Sequence, residues 1–150
     1  MDLTWQDIHH SELTTLQLYA LLALRNQVFI VEQNCPYLDI DNQDLQGENR
    51  HIIGSRSGEI VACARILAPT QDDKPVKIGR VSVSQSARGA RIGQQLMVRA
   101  MASCQKHWAQ RTVFLSAQAH LQNFYGHFGF QAMSDIYLED GIPHVDMQNR

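Results

Sequence analysis

Between residues 14 and 31 the apolar side chains Leu18, Leu21, Leu22, Val28 and Phe29 recur at spacings of three and four, with Arg25 falling on the same stripe. That period predicts a helix with one apolar face, and Thr14 or Thr15 stands where a side-chain oxygen can cap its first turn. A stronger period runs from residue 90 to 108. Ile92, Leu96, Met97, Ala100, Met101, Cys104 and Trp108 share one face, while Gln94, Gln95, Arg99 and Lys106 lie off it. Strand patterns separate the two helices. Residues 51–54 and 60–67, joined across Ser57, Gly58 and Glu59, read as a β-hairpin, and residues 76–83 as a third strand after the breaks at Pro69 and Pro75. Residues 113–116 predict a short apolar strand and residues 118–128 a helix stopped by Gly129. Residues 130–138 with 144–147 predict a terminal strand pair. Residues 34–49 follow neither period. A stretch of that length inside a compact domain is more often functional or mobile than accidental, which makes it the candidate substrate loop.

Mixed helices and strands on one core of 150 residues, without internal repeat, low-complexity tract or linker, predict a single domain over residues 1–150. Lys and Arg total 13 against 15 for Asp and Glu, so no global basic field exists to hold nucleic acid or an anionic membrane. An anionic ligand has to be held locally. Three widely spaced cysteines, Cys35, Cys63 and Cys104, argue against a disulfide framework and for a reducing cytoplasm. The first residues show no cationic region followed by an apolar run, and no apolar stretch approaches spanning length, so neither export nor membrane insertion is expected.

The candidate chemistry begins at Arg88, Gly89, Ala90, Arg91, Ile92 and Gly93, between a strand and the start of the stronger helix. The first N–H groups of a helix lack acceptors within it, and the aligned peptide dipoles add partial positive charge, so a phosphate can take several backbone hydrogen bonds there. Glycines before a helix are also ordinary turn punctuation. The two arginines tilt the balance toward an anion. No G-x-x-x-x-G-K-[ST] motif and no dinucleotide fingerprint after the first strand are present, which removes nucleotide hydrolysis and dinucleotide redox chemistry.

Arg25, on an apolar stripe, demands a partner, either Glu32 or a loop aspartate. The loop residues Asp39, Asp41 and Asp44 resemble a calcium loop only briefly, because Asp44 takes the place of the tight-turn glycine and Arg50 that of the closing glutamate. They read equally as a solvated acidic face or as a site for an ammonium group. His120 and His127 lack the spacing of a chelating pair, and no metal is expected. None of the cysteines has a histidine beside it in sequence to activate it.

The chain resembles the GCN5-related N-acetyltransferase (GNAT) superfamily, in its ElaA-type branch. The resemblance covers nearly its whole length. It is carried by Arg25-x-x-Val28-Phe29-x-x-Glu32-Gln33, Cys35-Pro36-Tyr37, the aspartates of the loop, His51, Ile78-Gly79-Arg80-Val81, Arg88-Gly89 through Gly93-Gln94-Gln95-Leu96, the run from Ala117 to Tyr125, Phe128-Gly129-Phe130, and Gly141-Ile142-Pro143-His144. Arg91 departs from the superfamily pattern [QR]-x-x-G-x-[GA], occupying its middle glycine, and is tolerable there if its φ is negative.

The resemblance implies an α+β fold, a mostly antiparallel mixed β-sheet of six to seven strands splayed in the middle and flanked by helices. It implies acetyl-CoA as cosubstrate, with the pyrophosphate on the turn of Arg88, Gly89, Ala90, Arg91, Ile92 and Gly93. The pantetheine arm is then held by the backbone of Val81 and Val83, and Gln118 stands where many relatives carry an asparagine. Tyr125 matches the tyrosine that protonates the departing thiolate, although Leu121, Phe124, Tyr125 and Phe128 alone read as a core stripe. The reaction implied is direct transfer of an acetyl group to a primary amine, which must first lose a proton. His51, His144, Glu32 and Asp41 are the candidate bases, with Glu32 and Asp41 also placed to bind the amine. The alternatives are a catalytically silent acyl-CoA sensor or interaction module and a relative of the acyl-homoserine-lactone synthases. A homodimer is compatible with all of these.

Overall fold

The computed structural model describes residues 3–149. Its elements are β1 (Thr4–His9), α1 (Thr15–Arg25), β2 (Arg50–Arg56), β3 (Glu59–Leu67), β4 (Val76–Val83), α2 (Ile92–His107), β5 (Val113–Gln118), α3 (Gln122–Gly126), β6 (Gln131–Ala132), β7 (Tyr137–Glu139) and β8 (Ile142–Asn149). The strands form one sheet in the order β1-β2-β3-β4-β5-β8-β6, with β7 also paired to β8. Every pairing is antiparallel except that of β4 with β5.

Thr14 is the cap of α1. Its hydroxyl accepts from the Gln17 N–H while the Gln17 side chain accepts from the Thr14 N–H, which satisfies two orphan donors reciprocally. After Arg25 the helix widens into a π-helical stretch, Asn26–Glu32, so the periodic segment ends in a looser coil of the kind that marks functional sites. α2 begins at Ile92, not at 90, and buries Ile92, Leu96, Met97, Ala100 and Cys104 against the sheet, as the apolar period requires.

Two clusters cover the two sheet faces. Ile52, Ile66, Val76, Ile78, Leu115 and Val145 meet the buried side of α2 on one face, whereas Ile53 and Cys63 meet Leu21, Leu24 and Val28 of α1 on the other. Alternation along each strand sends successive side chains to opposite faces.

Three elements differ from expectation. The sheet has eight strands instead of six to seven, and the unforeseen β1 is an edge strand with a broken polar pattern that pairs with β2 through its backbone. Trp5 packs so closely on Gly54 that a Cβ there would lie 2.7 Å from the ring. The helix expected over 118–128 shrinks, because β5 extends to Gln118, a 3-10 turn follows over Ala119–Leu121, and α3 is short. The terminal pair is a split edge, β6 and β7 side by side along β8, with Asp140 and Gly141 at φ 51° and 78° forming the tight hairpin turn.

Candidate active site

The sheet is splayed in the middle. β4 and β5 pair only at Val76 with Val113 and Lys77 with Phe114, and then separate toward Val83 and Gln118. β4 is also bulged just there: Arg65 pairs with Gly79 but Cys63 with Ser82, so one extra residue is inserted, and Arg80 takes a left-handed φ of 50° to absorb it. The result is an opening with unpaired strand edge along its β4 wall.

On the α2 face, the turn before the helix lies beside this opening. Arg91 caps α2 at φ 57° and ψ 26°, and no side chain caps the helix. The negative φ that would make an arginine tolerable at this position is therefore not adopted. Arg91 takes the left-handed geometry that its glycine counterpart would favour, at a local backbone cost. Gly89, at φ 95°, supports the same turn. Gly93 has no such demand, and a Cβ built there would meet Phe124 at an ordinary 3.7 Å. The fold itself thus has room for a methyl group at position 93. Uncapped N–H groups, a dipole end and an unobstructed backbone fit the pyrophosphate of a coenzyme A thioester. The Arg88 guanidinium, however, is engaged with Glu32, at 2.6 and 3.0 Å, and donates to the Val83 carbonyl. Val81 and Val83 pack half-buried against the α2-side core.

Tyr125 lies on this same face, packed edge-on against Phe124 and Phe130. Burial pushes its hydroxyl up to about 12, so it remains a proton donor at neutral pH. Burial likewise raises the thiols of Cys63 and Cys104, to about 11 and about 12, which keeps them protonated and poor nucleophiles. Gln118 donates to Gln33 at 3.2 Å, reaching the segment after α1.

The opposite face carries the loop over residues 34–49. It is neither a solvated acidic face nor free of structure. Asp39 and Asp44 clasp the buried Arg25, with Nε to Asp39 Oδ2 at 2.9 Å and Nη1 to Asp44 Oδ1 at 2.6 Å. Arg65 of β3 binds Asp41 at 2.7 and 3.0 Å, and Arg80 of β4 lies 2.8 Å from Asp39 and 3.3 Å from Asp41. Arg80 also stacks on Tyr37. Burial pushes the Asp41 carboxyl up, but the bond and charge of Arg65 outweigh it and hold the group at about 2. Three guanidinium groups match the three aspartates, so these carboxylates present no unpaired negative charge, and of the acids of the loop Glu48 lies exposed near His9. Arg25 thus finds the loop aspartates, and Glu32 finds Arg88.

His51 is only 1% exposed, and its Nε2–H donates to the Asp44 carbonyl at 2.9 Å. Burial, more than any neighbour, lowers its pKa below 6.5. It lies beneath the loop and props it. His144 lies elsewhere, paired with Gln118 across β8 and β5 at the mouth of the opening. Its Nδ1–H donates to the Ile142 carbonyl at 2.7 Å, which leaves the lone pair on Nε2, 3.5 Å from Glu139. The structure therefore brings Tyr125, Val81, Val83, the α2 turn, Gln118 and His144 to one opening, and sets His51 and Asp41 in the support behind it.

Sequence reading gave no role to Arg65, Arg80, Ser116, Tyr137 or Asp146. Arg80 lies within Ile78-Gly79-Arg80-Val81, one of the runs that carry the family resemblance, whereas the others are ordinary strand residues whose grouping depends on register. Among the described residues no three His, Cys, Asp or Glu side chains converge as metal ligands, and no helix is long and apolar enough to cross a membrane.

Comparison with known proteins gives the same picture. The acetyltransferase (GNAT) domain family matches residues 21–150. Protein ElaA of Escherichia coli is 59% identical over 143 residues, 95% of this chain and 94% of that protein. The crystal structure of Escherichia coli ElaA superposes with a TM-score of 0.96 at 56% identity, covering 99% of this chain and 100% of the other. An acyl-CoA N-acyltransferase from Pseudomonas aeruginosa does so with a TM-score of 0.96 at 47% identity, over 99% and 100%. With the splayed sheet, the uncapped α2 turn and these relatives together, the chain belongs to the GNAT family of acyltransferases, in its ElaA-type branch.

Proposed function

We propose that the protein transfers an acyl group, acetyl in the simplest case, from acyl-CoA directly to a primary amine. One observation carries this reading: the opening between β4 and β5 has the uncapped α2 turn and Tyr125 on one face and His144 at its mouth on the other. A thioester held from the first face meets an amine arriving from the second.

The amine arrives as an ammonium ion, since a group of pKa about 10.4 is only about one part in a thousand neutral near pH 7.4. His144 Nε2 accepts its proton directly or through water, with Glu139 stabilising the imidazolium. The freed nitrogen pair attacks the thioester carbonyl, and the unpaired backbone of β4 around Val81 supplies N–H groups as charge gathers on its oxygen. Tyr125 donates its proton to the sulfur as the carbon–sulfur bond breaks. Main-chain groups at Val81 and Val83 hold the pantetheine arm, and Gly89, Ala90, Arg91, Ile92 and Gly93 hold the pyrophosphate. Gln118 stands between this arm and the segment after α1. His51 acts as a support for the loop, and Asp41 holds Arg65 and Arg80, so amine attraction has to come from other residues.

The test is release of free thiol from acetyl-CoA in the presence of a panel of polyamines, amino sugars, amino acids and peptides. Acetyl-CoA that binds, yet yields no thiol with any acceptor, would return the protein to the sensor reading.

A further inference from the structure

α1 packs on β3 and β4, and farther along the same sheet face Ser116 of β5 is exposed and Asp146 of β8 half-buried, with His144 buried beside them. Even-numbered positions of β5 and β8 point there, because Leu115, Ala117, Val145 and Met147 face the α2-side core. Ser116 lies opposite Asp146 across the two strands, and Tyr137 of β7 lies opposite His144.

We propose that Ser116, Tyr137 and Asp146 bind the ammonium group of the acceptor and set its class: a primary amine on a neutral or cationic molecule, rather than an amino acid bearing a free carboxylate. The inference rests on the acyl-transfer reading above and assigns the acceptor side of that site.

The hydrogen-bond directions carry it. The Tyr137 hydroxyl donates to Asp146 Oδ1 at 2.5 Å, so at the 2.6 Å contact between Ser116 and Tyr137 it is the serine that donates. Both hydroxyl protons are thereby committed within the set, and the oxygens that remain, Ser116 Oγ on an exposed residue and Asp146 Oδ2 on a half-buried one, can only accept. An ammonium group, three donors and no acceptor, is the complement of that surface. The set is rigidly held. The Asp146 N–H donates to Ser134 Oγ at 3.0 Å, its carbonyl accepts from Met133 at 2.7 Å, and the Tyr137 ring stacks on His144 with centroids 6.2 Å apart. The proton acceptor of the reaction thus adjoins the ammonium site.

The charge around the set excludes a second anion. Asp146 belongs to it and the charge of Glu139 acts on the Tyr137 hydroxyl, Arg80 is matched by Asp39 and Asp41, and Lys77 lies over the Phe114 ring at the closed end of the opening. A carboxylate on the acceptor would face these acids without a free arginine.

The experiment uses cadaverine, aminopentanol and aminovalerate, three amines of equal chain length whose far ends are cationic, neutral and anionic. Wild-type kcat/KM for cadaverine and aminopentanol should exceed that for aminovalerate by about tenfold or more, the worth of one charge-assisted contact. Asp146→Asn should raise KM for cadaverine about tenfold, leave acetyl-CoA affinity by calorimetry unchanged and narrow the discrimination, with partial recovery in Asp146→Glu. Independently of turnover, the backbone amide resonances of Ser116, Tyr137 and Asp146 should shift when cadaverine is titrated into the wild-type protein with CoA bound. Preference for aminovalerate, an unchanged KM in Asp146→Asn, or unmoved resonances would each overturn the assignment. Shifted resonances with no acetylation of any amine would uphold the ammonium site and overturn the transferase reading instead.

Discussion

Glu32 and Arg88, 56 residues apart in sequence, meet in a two-point ion pair that ties the end of the π-helical stretch to the turn before α2. The same guanidinium holds the Val83 carbonyl. A pyrophosphate arriving at this turn meets an arginine whose charge is already half spent on a carboxylate. Glu32→Gln removes that competitor and leaves the turn more positive. Affinity for acetyl-CoA should rise roughly threefold at low salt, and the gain should shrink as salt is added, because both side chains are partly exposed. Calorimetry across a salt series reads this. A raised KM for the amine with unchanged acetyl-CoA affinity would place Glu32 in the acceptor site.

Gly93 separates folding from binding. An added methyl meets Phe124 at 3.7 Å and needs no movement, and alanine is the better helix former by up to about 1 kcal/mol. Gly93→Ala should therefore keep or raise the Tm while weakening acetyl-CoA, about tenfold if backbone contact to phosphate is lost. Thermal denaturation with and without acetyl-CoA distinguishes the two effects. Equal ligand-induced stabilisation in both proteins would show that nothing approaches the helix start.

Tyr125→Phe should lower kcat by about a hundredfold or more with acetyl-CoA affinity nearly intact, the usual contribution of a positioned general acid. Since burial holds the hydroxyl at about 12, wild-type kcat should show no falling limb from this group up to roughly pH 10. Mass spectrometry after acetyl-CoA alone should find no adduct on Cys63 or Cys104, whose thiols burial keeps protonated. A phenylalanine variant with full activity would make Tyr125 a core aromatic.

His51 and the loop aspartates predict acid sensitivity of the fold. Burial lowers the folded pKa of His51 below 6.5, so the stability tied to its neutral ring is complete above that value and is lost as pH falls from there toward the folded pKa. Asp41, with a folded pKa of about 2 against 3.8, acts lower down: its contribution is present above 3.8 and is lost as pH falls toward 2. Arg25 and Arg65 likewise lower the Asp44 carboxyl against the opposing effect of burial. His51→Gln retains an N–H for the Asp44 carbonyl but cannot titrate. Urea unfolding between about pH 5 and 7 should give a flatter stability profile for the variant than for wild type. An identical slope in both would trace the sensitivity to another group.

Much of this was local and hence readable. The stripes of α1 and α2, the Thr14 and Gln17 cap, and the hairpin at Gly58 depend on residues within about four positions of one another, the range over which period and capping act. The glycines and arginines at 88–93 marked a turn before a helix for the same reason, and that this turn holds an anion is our proposal. That Arg25 requires a carboxylate also followed from its place on an apolar stripe.

Which carboxylate it takes was not local. Sheet register sets Arg65 and Arg80 side by side under the loop, and only that arrangement turns three aspartates from an apparent attractant for amines into a charge-balanced clasp. β1 went unread because its order comes from backbone pairing to β2 and from Trp5 lying on Gly54. Ser116, Tyr137 and Asp146 come from three strands, and their hydrogen bonds exist because β8 runs antiparallel between β5 and β7. By itself, then, the sequence determined α1 and α2, most of the strands and the family. The tertiary structure decided which charges neutralise one another and which face outward, because ion pairs are chosen by distance in space, and residues far apart along the chain carry no local trace of it.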